Sequence, residues 1–224
     1  AGDPHRGLDV PNVYYQNHVS CDEFDVIGLS FPGCPGFPHF GHNDKVAWCV
    51  THAMSDYQDL YIEKFNPHNF EQYEYKGKWL NAQIIHDTIK VRNSHNRSIQ
   101  LMSTIHGPII SGEPTDGKAI ALKYTALEPD NKTAKSIRSM LSVENVEQMD
   151  ISMKDWVDPC NNFIFADIQG SIRYVNRGKI PIRPEENIWL PIPGWTGAGE
   201  WNGFIKHEDL PRIINPESGF IVTA

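Results

Sequence analysis

Several short stretches of this sequence carry side chains of the kind that do chemistry. Asp56-Tyr57-Gln58-Asp59 sets two carboxylates and a carbonyl-bearing amide in one tight segment, oxygen donors that suit a hard cation such as calcium. His39-Phe40-Gly41-His42 places two imidazoles three residues apart, and with His5 they admit a metal-dependent hydrolase. No Cys or Glu stands close enough in sequence to complete that set, and on a turn the two rings need not converge. Asn161-Asn162 opens the run Asn-Phe-Ile-Phe-Ala-Asp, which ends at Asp167. Read alone, such an Asn is a turn or cap residue; on a strand the two amides point to opposite faces. Trp48-Cys49-Val50-Thr51-His52 reads alone as a buried strand, and Arg183 as an exposed ion-pairing residue.

The elements that must hold these residues are mostly strands. Val13–Tyr15, Asp25–Leu29, Val46–Val50 and Asp59–Ile62 are short and rich in β-branched or aromatic residues. Phe70–Tyr75 and Trp79–Ile85 flank a turn at Gly77, and Thr88–Val91 is expected to pair with Ile99–Thr104. Gly107-Pro108 interrupts the pattern before Ala119–Tyr124 alternates again. Two helices follow, Lys132–Leu141 and Val146–Trp156, the second with Val146, Met149, Met153 and Trp156 on one face and Ser142 or Asn145 as its cap. Asp158-Pro159 is expected to stop it. Strands return at Phe163–Asp167 and Ile172–Val175 around a turn at Gln169-Gly170. The proline-rich remainder, with Trp189, Trp195, Trp201 and Phe204, reads as an ordered loop layer, and Gly219–Ala224 as a last strand.

Composition bounds the function. The 224 residues carry a net charge of −8, which argues against a nucleic-acid partner. No apolar stretch nears the ~20 residues that span a bilayer, so no membrane partner is expected. Four cysteines, Cys21, Cys34, Cys49 and Cys160, never form Cys-x-x-Cys; they read as buried free thiols, with a Cys21–Cys34 bridge open if the protein is exported.

The Pro35–Tyr61 stretch together with Asn162–Asp167 resembles the β-chain of the penicillin acylase family, the N-terminal-nucleophile hydrolases that include penicillin amidases and the acyl-homoserine-lactone and cephalosporin acylases. The resemblance runs from Gly2 to Ala224 and corresponds to the central part of that chain, the segment from Leu190 to Pro216 matching its closing loop. It implies an α+β fold of mainly antiparallel sheets, part of a four-layer αββα sandwich, with residues 1–224 in a single domain.

It also implies an amidohydrolase that cleaves a linear amide by acyl transfer. The nucleophile would be a serine upstream of Ala1, freed by self-cleavage and activated by its own α-amine; Ser20, Ser30 and Ser55 have no such amine. By resemblance the backbone N–H of His52 and the side-chain amide of Asn162 hold the oxyanion. His5 orients the serine hydroxyl, and Arg183 holds the amine end or the oxyanion asparagine. Pro4, Arg6, His39 and Phe40, with Phe37, belong to the substrate pocket. Asp56, Gln58 and Asp59 hold one structural calcium, and no organic cofactor is expected. The partners implied are a small acyl-amide substrate, and the α-chain and the rest of the β-chain of one precursor, in the periplasm or outside the cell. Cys49 stands where the family has Gly, and one extra residue, including Pro38, lies between Gly36 and Gly41.

Lacking the serine, the chain by itself is expected to be inactive and to expose unpaired strand edges. Two other classes stand beside this reading: a catalytically silent binding or scaffold fragment, and the metal-dependent hydrolase built on His5, His39 and His42.

Overall fold

The computed structural model describes residues 1–34, 38–184 and 189–224. The chain divides into two compact units, one made of Ala1–Ser55, Pro129–Ile180 and Ile205–Ala224, the other of Asp56–Glu128 and Pro181–Phe204. Each is built on a mainly antiparallel sheet, and the fold class is α+β. In chain order the strands are β1 (Tyr15–Cys21), β2 (Phe24–Ser30), β3 (Phe40–His42), β4 (Val46–His52), β5 (Gln58–Asn66), β6 (Asn69–Tyr75), β7 (Lys78–Asn81) and β8 (Gln83–Ile89). They continue with β9 (Arg97–Thr104), β10 (Gly107–Glu113) and β11 (Lys118–Tyr124). After helices α1 (Thr133–Met140) and α2 (Val146–Ser152) come β12 (Asn161–Asp167), β13 (Ile172–Arg177), β14 (Ile192–Pro193) and β15 (Arg212–Ile214).

The first unit holds a seven-stranded sheet in the order β1-β2-β3-β4-β12-β13-β15. Its strands alternate as half-buried strands must. Val46, Trp48 and Val50 of β4 and Phe163 and Phe165 of β12 point to one face, where they meet Met140, Met149, Met153 and Trp156 from the helical segment. Asn43 closes the tight turn before β4. Its Oδ1 accepts from the backbone N–H groups of Lys45 and Val46, and its Nδ2 donates to the Leu141 and Val143 carbonyls. Gly28 and Gly41 pair across β2 and β3, where a Cβ on Gly28 would sit 2.0 Å from the Phe40 carbonyl oxygen. That close approach requires glycine.

The second unit holds the order β7-β6-β5-β11-β10-β9-β8, with β14 joined in parallel to β5. Phe65, Tyr73 and Ala119 form one small core and Tyr61, Ala121 and Ile192 another. Beside them lies a buried polar cluster. His106 hydrogen-bonds Glu63 Oε1 through Nδ1 at 2.7 Å and Glu200 Oε1 through Nε2 at 2.8 Å. The Tyr61 ring stacks on the imidazole at 3.9 Å, and Lys123 donates to the other Glu200 oxygen.

Several elements differ from the sequence expectation. Gly107-Pro108 begins β10 instead of breaking the pattern, because the chain already reverses at Ile105-His106. Trp79–Ile85 is two strands divided at Ala82, whose N–H leaves the ladder to donate to the Glu71 carbonyl. α2 stops at Ser152, whose hydroxyl turns back onto the Met149 carbonyl. Gly219–Ala224 forms no ladder; Arg212–Ile214 supplies the edge strand instead. Of the cysteines only Cys160 is buried, while Cys21 and Cys34 are exposed free thiols.

Candidate active site

The site residues group by unit. In the first, β4 and β12 pair antiparallel with Asn162 opposite Thr51 and Asn161 opposite His52. Alternation then separates the two asparagines. Asn161 turns to the core face, 5% exposed, while Asn162 turns to the opposite, open face. There the Asn162 amide donates to Thr51 Oγ1 at 3.1 Å and approaches the His52 carbonyl at 3.4 Å. The Tyr174 hydroxyl donates to Asn162 Oδ1 at 2.9 Å. This bond orients the amide: with its oxygen held by Tyr174, its NH₂ faces the end of β4. Burial raises the Tyr174 pKa, which keeps the phenol protonated and able to donate. The Thr51 hydroxyl in turn donates to Thr223 Oγ1 at 3.0 Å.

The structure therefore brings Asn162 to the backbone of His52. A side-chain NH₂ held beside a strand end can stabilise negative charge on a carbonyl oxygen without reorganising. Thr51 and Tyr174, which the sequence reading passed over, fix that geometry. Tyr174 pairs with Ile164 on the neighbouring strand, which makes it the diagonal neighbour of Asn162 on the same face. A hairpin register would have exposed it, since diagonal pairs lie within reach of an aromatic side chain.

The pocket candidates take other positions. His39 sits among aromatic rings, 5.0 Å from Phe31 and 5.1 Å from Phe40, with Tyr14 stacked at 6.0 Å. Burial, and then the positive charges of Arg177 and Arg6, push its pKa down to about 3, so it stays neutral at working pH. Phe40 is buried in the core and Trp48 clamps the loop by donating to the Pro38 carbonyl at 3.0 Å. Pro4 is half-buried and Arg6 exposed. His5 is exposed, its ring 3.4 Å from Asp3. Phe37, with Pro35 and Gly36, lies outside the described residues. Two cross-strand pairs along from Thr51 and Asn162, on the same face, a groove of about 220 Å³ runs over Ala47, Cys49, Ile164 and Ala166, and Ala1 and Gly2 line it.

In the second unit Arg183 and the acidic segment form a single cluster. Arg183 Nε donates to Asp59 Oδ2 at 2.7 Å, Nη1 to the Asp56 carbonyl at 2.9 Å and Nη2 to Asp56 Oδ1 at 3.2 Å, with the Gln58 carbonyl at 3.5 Å. Trp201 Nε1 donates to Asp59 as well. The oxygens expected on calcium thus face a guanidinium, and Arg183 is 8% exposed, not a surface residue. In this arrangement the three residues do not fit a cation, whose charge would oppose that of Arg183. Among the described residues no group of three or more His, Cys, Asp or Glu side chains converges on a metal position.

Comparison with known proteins extends this geometry. The family model described as penicillin amidase matches residues 1–224. The chain belongs to the penicillin amidase family. It is 42% identical to the penicillin acylase 2 proenzyme of Pseudomonas sp. (strain SE83), over 100% of this chain and 29% of that protein. It is 29% identical to the penicillin G acylase of Escherichia coli, over 97% of this chain and 26% of that protein. The acyl-homoserine lactone acylase QuiP of Pseudomonas fluorescens is 28% identical, over 95% of this chain and 26% of its own length. Among solved structures, the thermostable penicillin G acylase of Alcaligenes faecalis superposes with a TM-score of 0.83 at 27% identity, over 96% of this chain and 38% of that one. The chain thus spans less than a third of the length of these curated relatives.

Proposed function

We propose that this chain is the oxyanion-holding part of an amide hydrolase that works by acyl transfer. A serine elsewhere in the precursor, upstream of Ala1 and freed as a new N-terminus, attacks the carbonyl of an N-acyl amide. Its own α-amine takes the hydroxyl proton. The negative charge that develops on the carbonyl oxygen is met by the His52 backbone N–H and the Asn162 amide. The oxygen, a stronger acceptor than Thr51 Oγ1, draws the Asn162 donor from its resting bond. The amine leaves, an acyl-serine remains, and water releases the acid. His5 is given the part of orienting the serine hydroxyl, and Pro4, Arg6, His39 and Phe40 that of lining the substrate pocket.

The observation that carries this reading is the approach of the Asn162 amide to the end of β4, oriented from behind by Tyr174. Relatives named penicillin acylase and acyl-homoserine lactone acylase support a small N-acyl amide as the substrate class. The proenzyme name of one relative supports a precursor cut into chains that stay together. Calcium at Asp56, Gln58 and Asp59 belongs to the assembled precursor only, where oxygen ligands from outside this chain would have to outweigh Arg183. No step is routed through it. Chelation of the processed protein with and without added calcium tests this, and an unchanged melting temperature rules it out.

The test of the function is expression of the complete reading frame, followed by intact mass, N-terminal sequencing of the products and hydrolysis of a chromogenic acyl anilide. A subunit that begins with serine and releases the aniline is the expected result. An uncleaved chain without turnover would leave a scaffold, the silent-fragment reading.

A further inference from the structure

Arg177 ends β13 and is completely buried. Its guanidinium has no carboxylate partner among the described residues. Nη2 donates to Asn161 Oδ1 at 3.2 Å, Nη1 reaches only the sulfurs of Met140 and Met153 at 3.9 and 3.8 Å, and Nε has no partner. The Trp156 and Phe163 rings lie over it at 3.6 and 4.2 Å. Cation–π contacts return part of the hydration an arginine gives up on burial. Buried charges are nevertheless normally paired, because an isolated one is costly to hold. A fold that keeps this one has a use for it.

The register locates that use. Arg177 pairs with Asn161 across β13 and β12, and Asn161 pairs with His52 across β12 and β4. The three residues form one row across the sheet. Asn161 takes the Arg177 hydrogen bond on its oxygen and points its Nδ2 at the Thr51 carbonyl, 3.4 Å away. Strand spacing puts the charge roughly 10 Å from the His52 backbone. We propose that Arg177 is a positioning residue of the oxyanion site. It fixes Asn161, and through Asn161 the end of β4 that carries His52, and it gives that row a positive charge that no carboxylate among the described residues cancels. The same charge is felt at His39, where it helps hold the ring neutral. The assignment rests on the amidase reading above.

The test uses the processed enzyme from the complete reading frame, its competent sites counted with a covalent serine-directed inhibitor so that misfolded molecules drop out. Arg177→Met fills the volume between Met140 and Met153 without the charge or the donor to Asn161, and Arg177→Lys keeps a donor. Per counted site, Arg177→Met lowers kcat about tenfold, the effect of a unit charge at ~10 Å in an effective dielectric near 20. KM stays within about twofold, because the loss falls on the transition state and not on ground-state binding. Arg177→Lys recovers the part of the loss that comes from the hold on Asn161. Wild-type kcat per site in Arg177→Met, or equal impairment of both variants, overturns the assignment while the amidase reading stands. A wild-type enzyme that turns over no anilide overturns both.

Discussion

At the residue scale the site is a problem of which way two adjacent amides point. Alternation on a strand is enough to say that Asn161 and Asn162 face apart, and the run from Phe163 to Phe165 says which face is apolar. That much is legible in the sequence. Tyr174 and Thr51 are not, because they reach Asn162 only through the registers of β12 with β13 and β4. The arrangement predicts that Asn162→Ala in the processed enzyme lowers kcat by roughly 10²–10³ with little change in KM, as loss of an oxyanion donor does. Tyr174→Phe leaves Oδ1 without its donor and costs less, on the order of tenfold, since the amide NH₂ is still present. Steady-state kinetics on site-counted enzyme checks both, and an Asn162→Ala variant with unaltered kcat sinks the oxyanion role. Arg183 was legible as a salt-bridging residue but not as a buried one. Because the Arg183 and Asp59 side chains are both less than 10% exposed, Arg183→Ala leaves the Asp59 carboxylate with the Trp201 donor but without its cation, and should cost about 3 kcal/mol in denaturant unfolding.

At the element scale, the return segment that carries Glu200 and Trp201 is held to its sheet by the buried histidine. Glu63 lies on β5, His106 in the β9–β10 turn and Lys123 on β11, with Tyr61 and Tyr75 around the ring. Gly194 packs against the carboxylate of Glu63, where a Cβ would lie 2.4 Å from Oε2. Burial pulls the His106 pKa down, but the hydrogen bonds to Glu200 and Glu63 outweigh it, and the value is raised above the ordinary 6.5. Burial likewise pushes Glu200 up, but the bonds from His106 and Lys123 outweigh it and hold it at about 2. The signs follow from linkage. The histidine's contribution is complete below pH 6.5 and is lost as pH rises through the raised value. The glutamate's is complete above 4.5 and is lost as pH falls toward 2. Melting temperature should therefore plateau between those limits and decline on both sides, and His106→Gln should flatten the alkaline decline. A wild-type profile flat from neutral to pH 9 would remove the staple from the account. None of this cluster was foreseen. His106 follows a segment that reads as the end of a strand, and its partners come from residues 63, 123 and 200.

At the scale of the whole molecule, the exposed β8–β9 ribbon matters most. Ile85, Ile89 and Leu101 are each about half exposed, and β8 is an edge strand whose outer backbone groups have no neighbour in its sheet. Such an edge is a template for self-association. The isolated 224-residue chain should be polydisperse by light scattering, and Ile85→Lys with Ile89→Lys should shift it toward monomer. A monodisperse parent chain counts against this. The sequence by itself determined the strand-rich α+β class, a helix cap at Ser142 or Asn145, the facing of Asn162 and the family, because period-two and period-3.6 patterns and short motifs are local properties. It placed Asp56 and Asp59 together but could not say that Arg183, over a hundred residues on, would neutralise them. Only the tertiary structure decided this, along with the Tyr174 brace and the burial of Arg177 with no carboxylate partner among the described residues. Each depends on which distant strands become neighbours, and that is settled by packing across the whole sheet, which no local window of sequence contains.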